Sequence, residues 1–424
     1  MKVLIITYYW PPAGGSGVQR WLKFVKYLQE FGIEPVVYTV DNPKYPIVDV
    51  ALEKEIPNNI VVLKQPIREP NNLLSIFKNK KTQETAGFLN PNPSFVGKLL
   101  QYIRANYFIP DARKYWVKPS VKYLTRYLKE NKIDAIITSG PPHSLHLIGL
   151  ELKKSLGINW ISDFRDPWTE IDYFEQLPLT KKSIQKHHQL EQKILRNSNA
   201  VLVVGKTMKE KYEQFSKTIH VLTNGYDTKE SEATVKLDSK FTITHIGLMN
   251  ADRNPISFWK AIVEICKENI EFSEDYQIQL VGKIAPEVEN SIQEFGLKNI
   301  KNIGYLAHDE VRKYQQKSQV LLLAVNDVKS ARGIITGKIF EYLQAKRPIL
   351  AIGPLDGDLA AILKETCSGT IVDFKEVELL KVALLNLYSQ FKKGDVSVHS
   401  KNIEQYHRKN LTKKLSEIIK ATIS

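Results

Sequence analysis

Residues 1–20 read MKVLIITYYWPPAGGSGVQR. Val3 to Thr7 is an aliphatic, β-branched run of the kind buried on both faces of a parallel sheet. It breaks at once into Pro11 and Pro12, which exclude helix and ladder hydrogen bonds. Gly14, Gly15 and Gly17 follow, permitting backbone conformations and close approaches that a β-carbon forbids. Val18 to Phe31 then reads as an amphipathic helix. A strand, a glycine-rich turn and a helix N-terminus together offer unpaired N–H groups to an anion, so Gly14, Gly15, Ser16 and Gly17 are candidate substrate-binding residues. The stretch is not a dinucleotide fingerprint, because the third glycine of GxGxxG falls on Arg20, nor a GxxxxGK[ST] phosphate loop. The competing reading is a tight strand-to-helix turn without a ligand.

The same strand-then-helix alternation runs through the chain. The first series of strand-like runs is VLIIT, PVVYTV (35–40), IVVLKQ (60–65), DAIITSG (134–140), NWISDF (159–164) and AVLVVG (200–205). The second is FTITHIG (241–247), YQIQLVG (276–282), VLLLAV (320–325), PILAIG (348–353) and GTIVDF (369–374). Helical stretches between them predict parallel sheets covered on both faces. The expected fold is therefore α/β, with two Rossmann-like doubly wound domains facing a central cleft. Residues 1–228 form the first, with a helical basic insertion at 66–130. Residues 229–240, after the Asn224–Gly225 turn signal, form a linker, residues 241–400 the second domain, and residues 401–424 a basic-faced helix.

A chain of 424 residues, 43% hydrophobic, can bury two such cores. Its 60 Lys+Arg against 46 Asp+Glu leave +14, which favours an anionic partner. Cys266 and Cys367 lack ligand spacing, so neither a disulfide framework nor a zinc site is expected. No run of ~20 apolar residues could span a membrane, and the N-terminal apolar run continues into a βα unit and lacks a signal-peptide cleavage site. No nucleic-acid recognition module is visible, so nucleic acid is not an expected partner. Within 94–126 stand Lys98, Arg104, Arg113, Lys114, Lys118, Lys122 and Arg126 against the single acid Asp111, interleaved with aromatics. This segment is either a surface for an anionic acceptor or headgroup layer, or a helix pair turning Phe95, Leu99, Ile103 and Tyr107 to the core.

Candidate chemistry collects at strand ends, where ligands bind in such folds. After the fourth strand, SGPPH brings His143 to a helix start, with His146 one turn on and more suited to inward packing. The fifth strand ends in Asp163, Arg165 and Asp166, a cluster able to bind sugar hydroxyls or, at Asp166, to act as a base, the alternative being that Arg165 simply neutralises its neighbours. In the second half, Gly247 ends a strand and Arg253 heads the next helix. Gly333, Thr336 and Gly337 then open a helix carrying Lys338 and Glu341. Cations at helix N-termini are disfavoured by the dipole unless an anion is bound there, and a diphosphate would satisfy both Arg253 and Lys338. Glu341 could accept bonds from ribose hydroxyls. Backbone near Gly282 and near Tyr305 and Leu306 is expected to read the base.

The PPxxGGSG loop, His143, the NG turn, the G-x5-basic segment and the GKIFEY helix together resemble retaining glycosyltransferases of the GT-B fold, similar to glycosyltransferase family 4. The resemblance implies that the glycine loop approaches the donor diphosphate, that His143 lies beside the transferred sugar, that Glu341 holds the nucleotide ribose, and that no metal or other cofactor is needed. Two departures stand out. Leu248 replaces the arginine of G-R-L-x3-K-G, with Arg253 at the lysine position, and Gly333 occupies the first position of E-x7-E. Lys338 lies where the family is usually apolar and is positioned to restore the charge lost at Leu248.

The implied reaction moves a sugar, hexosyltransferase fashion, from a nucleotide-diphosphate sugar to a glycan or lipid-linked acceptor with retention, as in bacterial cell-surface polysaccharide synthesis. His143, Arg253, Lys338 and Asp166 are the expected catalytic residues. The expected location is the cytoplasm, with peripheral contact at an anionic inner membrane face. Competing readings are a non-catalytic nucleotide-sugar or glycan binder and a nucleotide-sugar epimerase on the same scaffold.

Overall fold

The computed structural model describes residues 1–43, 45–67, 94–172, 174–227 and 235–424. The chain divides into two compact units, Met1–Asn224 with Arg408–Ser424, and Gly225–His407. The division falls inside the Asn224–Gly225 turn. Half of the expected linker, 229–234, and residues 68–93 of the expected insertion lie outside the described residues.

In the first unit the described residues form a parallel sheet of β1 (Lys2–Ile6), β2 (Glu34–Val40), β3 (Val61–Gln65), β4 (Ala135–Gly140), β5 (Asn159–Phe164), β6 (Ala200–Val203) and β7 (Ile219–Val221). Its order is β3-β2-β1-β4-β5-β6-β7. The helices are α1 (Ser16–Leu28), α2 (Phe95–Tyr107), α3 (Lys114–Glu130), α4 (Ser144–Leu156), α5 (Lys181–Asn197) and α6 (Lys206–Tyr212). Successive residues of β1 point to opposite faces. Val3 and Ile5 pack with Trp21, Leu22 and Val25 of α1, while Leu4 and Ile6 pack with Trp116 and Leu124 of α3 and Leu145 and Ile148 of α4. This two-sided burial is why β1 is apolar throughout. The chain reverses direction across the sheet between β1 and β4, placing a topological switch point at the glycine loop and the His143 turn.

The second unit repeats the plan with β8 (Phe241–Ile246), β9 (Tyr276–Val281), β10 (Ile300–Gly304), β11 (Val320–Ala324), β12 (Ile349–Ile352) and β13 (Gly369–Val372), in the order β10-β9-β8-β11-β12-β13. Its helices are α7 (Ile256–Glu268), α8 (Ile270–Asp275), α9 (Pro286–Glu294), α10 (His308–Lys317), α11 (Lys338–Ala345), α12 (Asp358–Thr366) and α13 (Val377–Lys392). Here the switch point lies between β8 and β11. The last helix, α14 (Arg408–Ile423), belongs to the first unit, where Leu411, Leu415, Ile418 and Ile419 pack against α1 and the sheet.

Two edge strands escape the pattern reading. β7 has three residues, and β10 exposes Lys301 and Asn302; a sheet edge tolerates polar side chains that a central parallel strand does not. The basic segment divides between the two readings left open for it. α3 buries Trp116, Ser120 and Leu124, as a packed helix should. α2 buries none of its residues, and Phe95, Leu99, Ile103 and Tyr107, expected to face the core under the packing alternative, are exposed.

Candidate functional site

The glycine loop is laced to the segment beyond β2. The Gly14 amide donates to the Ile47 carbonyl (2.9 Å), and the Asp49 amide to the Pro12 carbonyl (2.8 Å). A β-carbon on Gly14 would lie 2.8 Å from Ile47 Cγ2. Gly14 is therefore a packing glycine whose amide is bonded within the protein. Gly15, at φ 93°, has open space around it and precedes an α1 N-terminus that has no side-chain cap and no acid in its first turn. Ser16 begins that helix. The Gly17 carbonyl accepts from Arg165 Nη1 (2.7 Å), with no room for a β-carbon between them.

The cluster at the end of β5 separates into three roles. Asp163 is wholly buried. It accepts from Arg20 Nη2 (2.8 Å) and Nε (3.3 Å), Trp21 Nε1 (2.8 Å) and Ser139 Oγ (2.8 Å). Burial works to raise its carboxyl, but the charges of Arg20 and Arg165 and the bonds from Arg20 and Ser139 hold it below its ordinary value. Both of its oxygens are bonded to protein, so in this structure Asp163 is an internal anchor. Arg165, also buried, donates to the carbonyls of Gly17, Pro141 and Gly140, clamping the glycine loop to the His143 turn. With three of its N–H groups bonded to backbone, it positions both loops. Asp166 alone is exposed.

His143 occupies the N-cap position of α4. Its ring lies flat on Trp168, with centroids 4.8 Å apart and planes within 3°. Trp168 Nε1 donates to His187 Nδ1 (3.0 Å), and the Tyr212 hydroxyl contacts the Trp168 amide (3.4 Å) while donating to Glu191 (2.7 Å). Burial pushes the His143 imidazole well below its ordinary value, assisted by His146, Arg165 and His187. It is neutral at physiological pH, and its Nδ1 has no partner among the described residues. His146 packs inward as expected, stacked on Phe164 and bonded through Nδ1 to Thr138 Oγ1 (2.9 Å). Asp111, the lone acid of the basic segment, caps α4 by accepting from Ser144 N and Oγ, both at 2.8 Å.

In the second unit, Gly247 and Gly282 end adjacent strands with φ of 110° and 118°. A β-carbon on Gly282 would meet the Gly247 carbonyl at 2.6 Å, and one on Gly247 would meet Lys338 Cε at 2.1 Å. Only glycine lets the Lys338 chain lie across the end of β8. Burial lowers the Lys338 ammonium to about 8; the like charge of Arg253 acts in the same direction and Glu341 against it. Arg253 Nη1 donates to the Leu248 carbonyl (2.9 Å). Tyr342, whose hydroxyl bridges Ile246 N (3.0 Å) and the Leu322 carbonyl (3.4 Å), fastens α11 to β8 and β11. Glu341 is half-buried and accepts one bond from Gln315 (2.9 Å). Gly337 is exposed at the N-cap of α11, where no side chain caps the helix. The Thr336 hydroxyl beside it is buried without a partner among the described residues.

Tyr305, just past β10, is 90% exposed, whereas Leu306 packs against the core. A pocket of about 300 Å³ adjoins Arg253, lined also by Ser257, Lys260, Asp327, Phe374 and Lys375. It shares none of Lys338, Gly337 or Glu341, so it flanks the Arg253–Lys338 cluster without containing it. Among the described residues no group of three or more His, Cys, Asp or Glu is placed to hold a metal.

Residues whose part in the site the sequence did not reveal include Arg20 and Trp168. Arg20 was legible only as the residue that spoils a dinucleotide motif, and its pairing with Asp163 spans 143 positions. Trp168 follows a Pro in a loop, with no periodicity to reveal its stack on His143.

Two doubly wound parallel units with cationic, glycine-lined strand ends define the GT-B class of α/β proteins. The sequence profile of Glycosyltransferase Family 4 matches residues 15–230, more than half of the chain. The chain belongs to glycosyltransferase family 4 and is a glycosyltransferase. No curated protein matches it. Solved structures share the fold at low identity. HepE of Anabaena, in complex with UDP-glucose, is 13% identical with a TM-score of 0.61, over 99% of this chain and 100% of that one. Sucrose-phosphate synthase of Thermosynechococcus elongatus is 15% identical with a TM-score of 0.57, over 100% and 95%. A TarM variant of S. aureus, in complex with fondaparinux, alpha-GlcNAc-glycerol and UDP, is 12% identical with a TM-score of 0.59, over 99% of each.

Proposed function

We propose that the protein transfers a hexosyl residue from a nucleotide-diphosphate sugar to a glycan or lipid-linked hydroxyl with retention of anomeric configuration. The observation that carries this reading is the Arg253–Lys338 pair at the end of β8. Two like charges are held together at the uncapped N-terminus of α11, and burial, with the like charge of Arg253 acting the same way, lowers the Lys338 ammonium. Such an arrangement is relieved by a bound anion of matching charge.

In this reading Arg253, Lys338, the α11 amides and the Thr336 hydroxyl receive the donor diphosphate. The free oxygen of Glu341 accepts from the ribose, and Tyr305 with the backbone at Gly282 and Leu306 meets the base. The bond from the anomeric carbon to the diphosphate oxygen breaks ahead of attack, and the developing charge on the leaving oxygen is held by the two cations. The acceptor hydroxyl attacks from the same face and gives its proton to a donor phosphate oxygen. The products are the glycosylated acceptor and a nucleoside diphosphate. In the first unit, neutral His143, kept flat by Trp168, is the group suited to a sugar ring, and Asp166 is the carboxylate suited to a hydroxyl. Gly15, Ser16 and Gly17 of the same unit leave the uncapped α1 N-terminus open to an anionic group. No metal takes part, so a chelator leaves turnover unchanged. Bacterial cell-surface polysaccharide synthesis in the cytoplasm fits this chemistry; WaaG, a structural neighbour at 13% identity, is described as acting in lipopolysaccharide biosynthesis.

The test is a thermal-shift panel of UDP, GDP, ADP and CMP with their sugar conjugates, on the native protein and on Glu341→Ala. One sugar nucleotide should stabilise the native protein selectively, and the variant should lose that shift. Absence of any shift would sink the reading. With donor and acceptor in hand, the anomeric proton coupling of the product reports retention or inversion.

A further inference from the structure

α2 is a helix without a core. Six of its thirteen residues, Phe95 (85% exposed), Val96 (63%), Leu99 (50%), Tyr102 (42%), Ile103 (37%) and Tyr107 (66%), are large, apolar or aromatic, and exposed, and none of its residues is buried. At 3.6 residues per turn those six fall within an arc of roughly 140°. Lys98 and Arg104 flank the arc on either side, and the helix FVGKLLQYIRANY contains no acid. The adjoining α3 adds the exposed Lys118, Lys122 and Arg126, together with Tyr115 and Tyr123. The helix is nevertheless placed by specific bonds. Ser94 caps it through Gly97 N (3.2 Å). Asn106 donates to the Pro178 carbonyl and accepts from Thr180 N, both at 2.8 Å, and Lys114 donates to the Tyr107 carbonyl. Polar contacts at its C-terminal end thus hold an apolar face outward.

We infer that α2 lies in the headgroup layer of an anionic phospholipid bilayer, with Phe95, Val96, Leu99 and Ile103 entering the acyl boundary and Lys98 and Arg104 reaching back to lipid phosphates. An exposed contiguous apolar face on a folded protein marks an interaction surface. A row of this width, flanked by cations and free of acids, has the form of an interfacial helix. The charge selects the occupant, because a surface of anionic lipid attracts each nearby Lys or Arg, whereas a second copy would bring the same positive charge against itself. No helix among the described residues is long and apolar enough to cross a membrane, so the contact made by α2 is peripheral.

The experiment is flotation of the full chain with phosphatidylcholine vesicles and with vesicles of phosphatidylcholine and phosphatidylglycerol, at low and high salt. It compares the native protein with Leu99→Ser/Ile103→Ser and with Lys98→Gln/Arg104→Gln. All substituted side chains are exposed, so circular dichroism and melting should be unchanged. Binding is expected only to the phosphatidylglycerol vesicles, weaker at high salt. It should fall at least tenfold in the apolar variant and about fivefold per cation removed in the basic one. Vesicle binding that the apolar variant leaves intact, or no vesicle binding at all, would overturn the inference. So would a concentration-dependent dimer that the apolar variant abolishes, since the face would then belong to a second copy.

Discussion

At the scale of single residues, the two units use charge in opposite ways. Asp163 and Arg20 neutralise each other in a dry interior, with every carboxylate oxygen bonded to protein. Asp163→Asn leaves the Arg20 charge buried without its partner, and breaking such a pair costs about 3–5 kcal/mol, so the urea midpoint of the first unit should fall by that equivalent. Lys338 and Arg253 instead share a sign, and the ammonium is lowered from 10.5 to about 8. Between those values the unfolded chain holds a proton that folded Lys338 has released, so the stability of the ligand-free protein rises with pH across that window. A bound diphosphate restores the ammonium. Nucleoside diphosphate affinity should therefore weaken as pH climbs through about 8, with proton uptake on binding measurable by calorimetry in buffers of differing ionisation enthalpy. Lys338→Met should flatten that dependence, while His245, Arg253 and Glu341, the other groups around the site, stay in place. If the affinity profile of the native protein is flat, Lys338 does not meet the phosphates.

At the scale of elements, the candidate site depends on how helices and strand ends are fastened. α4 carries His143 at its N-cap and has no acid in its own first turn; Asp111, 33 positions away, supplies the cap. Asp111→Ala should cost about 1 kcal/mol, the usual worth of a cap, read from thermal melting. Trp168→Ala removes the plane against which His143 lies. Turnover is expected to drop with little change in nucleotide affinity, a split that a purely structural role would not produce. Gly247→Ala acts on another fastening, forcing a β-carbon into the Lys338 chain at a φ that L-residues rarely adopt. It should weaken diphosphate binding far more than the stability cost of a strained turn, about 1–3 kcal/mol, would explain, as a paired melt and titration would show.

For the whole molecule, the assignment of α14 to the first unit makes that unit discontinuous in sequence. Removing residues 408–424 uncovers Leu411, Leu415, Ile418 and Ile419, all buried against α1 and the sheet. At about 1.5–3 kcal/mol per side chain the loss is roughly 6–12 kcal/mol, comparable to the stability of a domain. Residues 1–224 alone should fail to melt cooperatively and should regain a transition when residues 408–424 are fused to them. Residues 225–407, with a core of their own, should melt cooperatively by themselves.

The alternation of apolar strands with amphipathic helices, repeated twice, was enough to determine two doubly wound units. Parallel strands buried on both faces must be apolar along their length, and such runs survive in a sequence as visible blocks. The strand-end positions of His143, Arg253, Lys338 and Glu341 were legible for the same reason, since each follows a recognisable strand or helix start. What the sequence could not settle was the use made of each group. Asp163 and Asp166 stand three positions apart with the same carboxylate, yet one is saturated by Arg20, Trp21 and Ser139 while the other faces solvent. The apolar faces of α2 and α3 have similar patterns, and only one of them meets a core. Periodicity records that a face is apolar, but what lies opposite it is supplied by residues distant in the chain, and that pairing exists only in the folded structure.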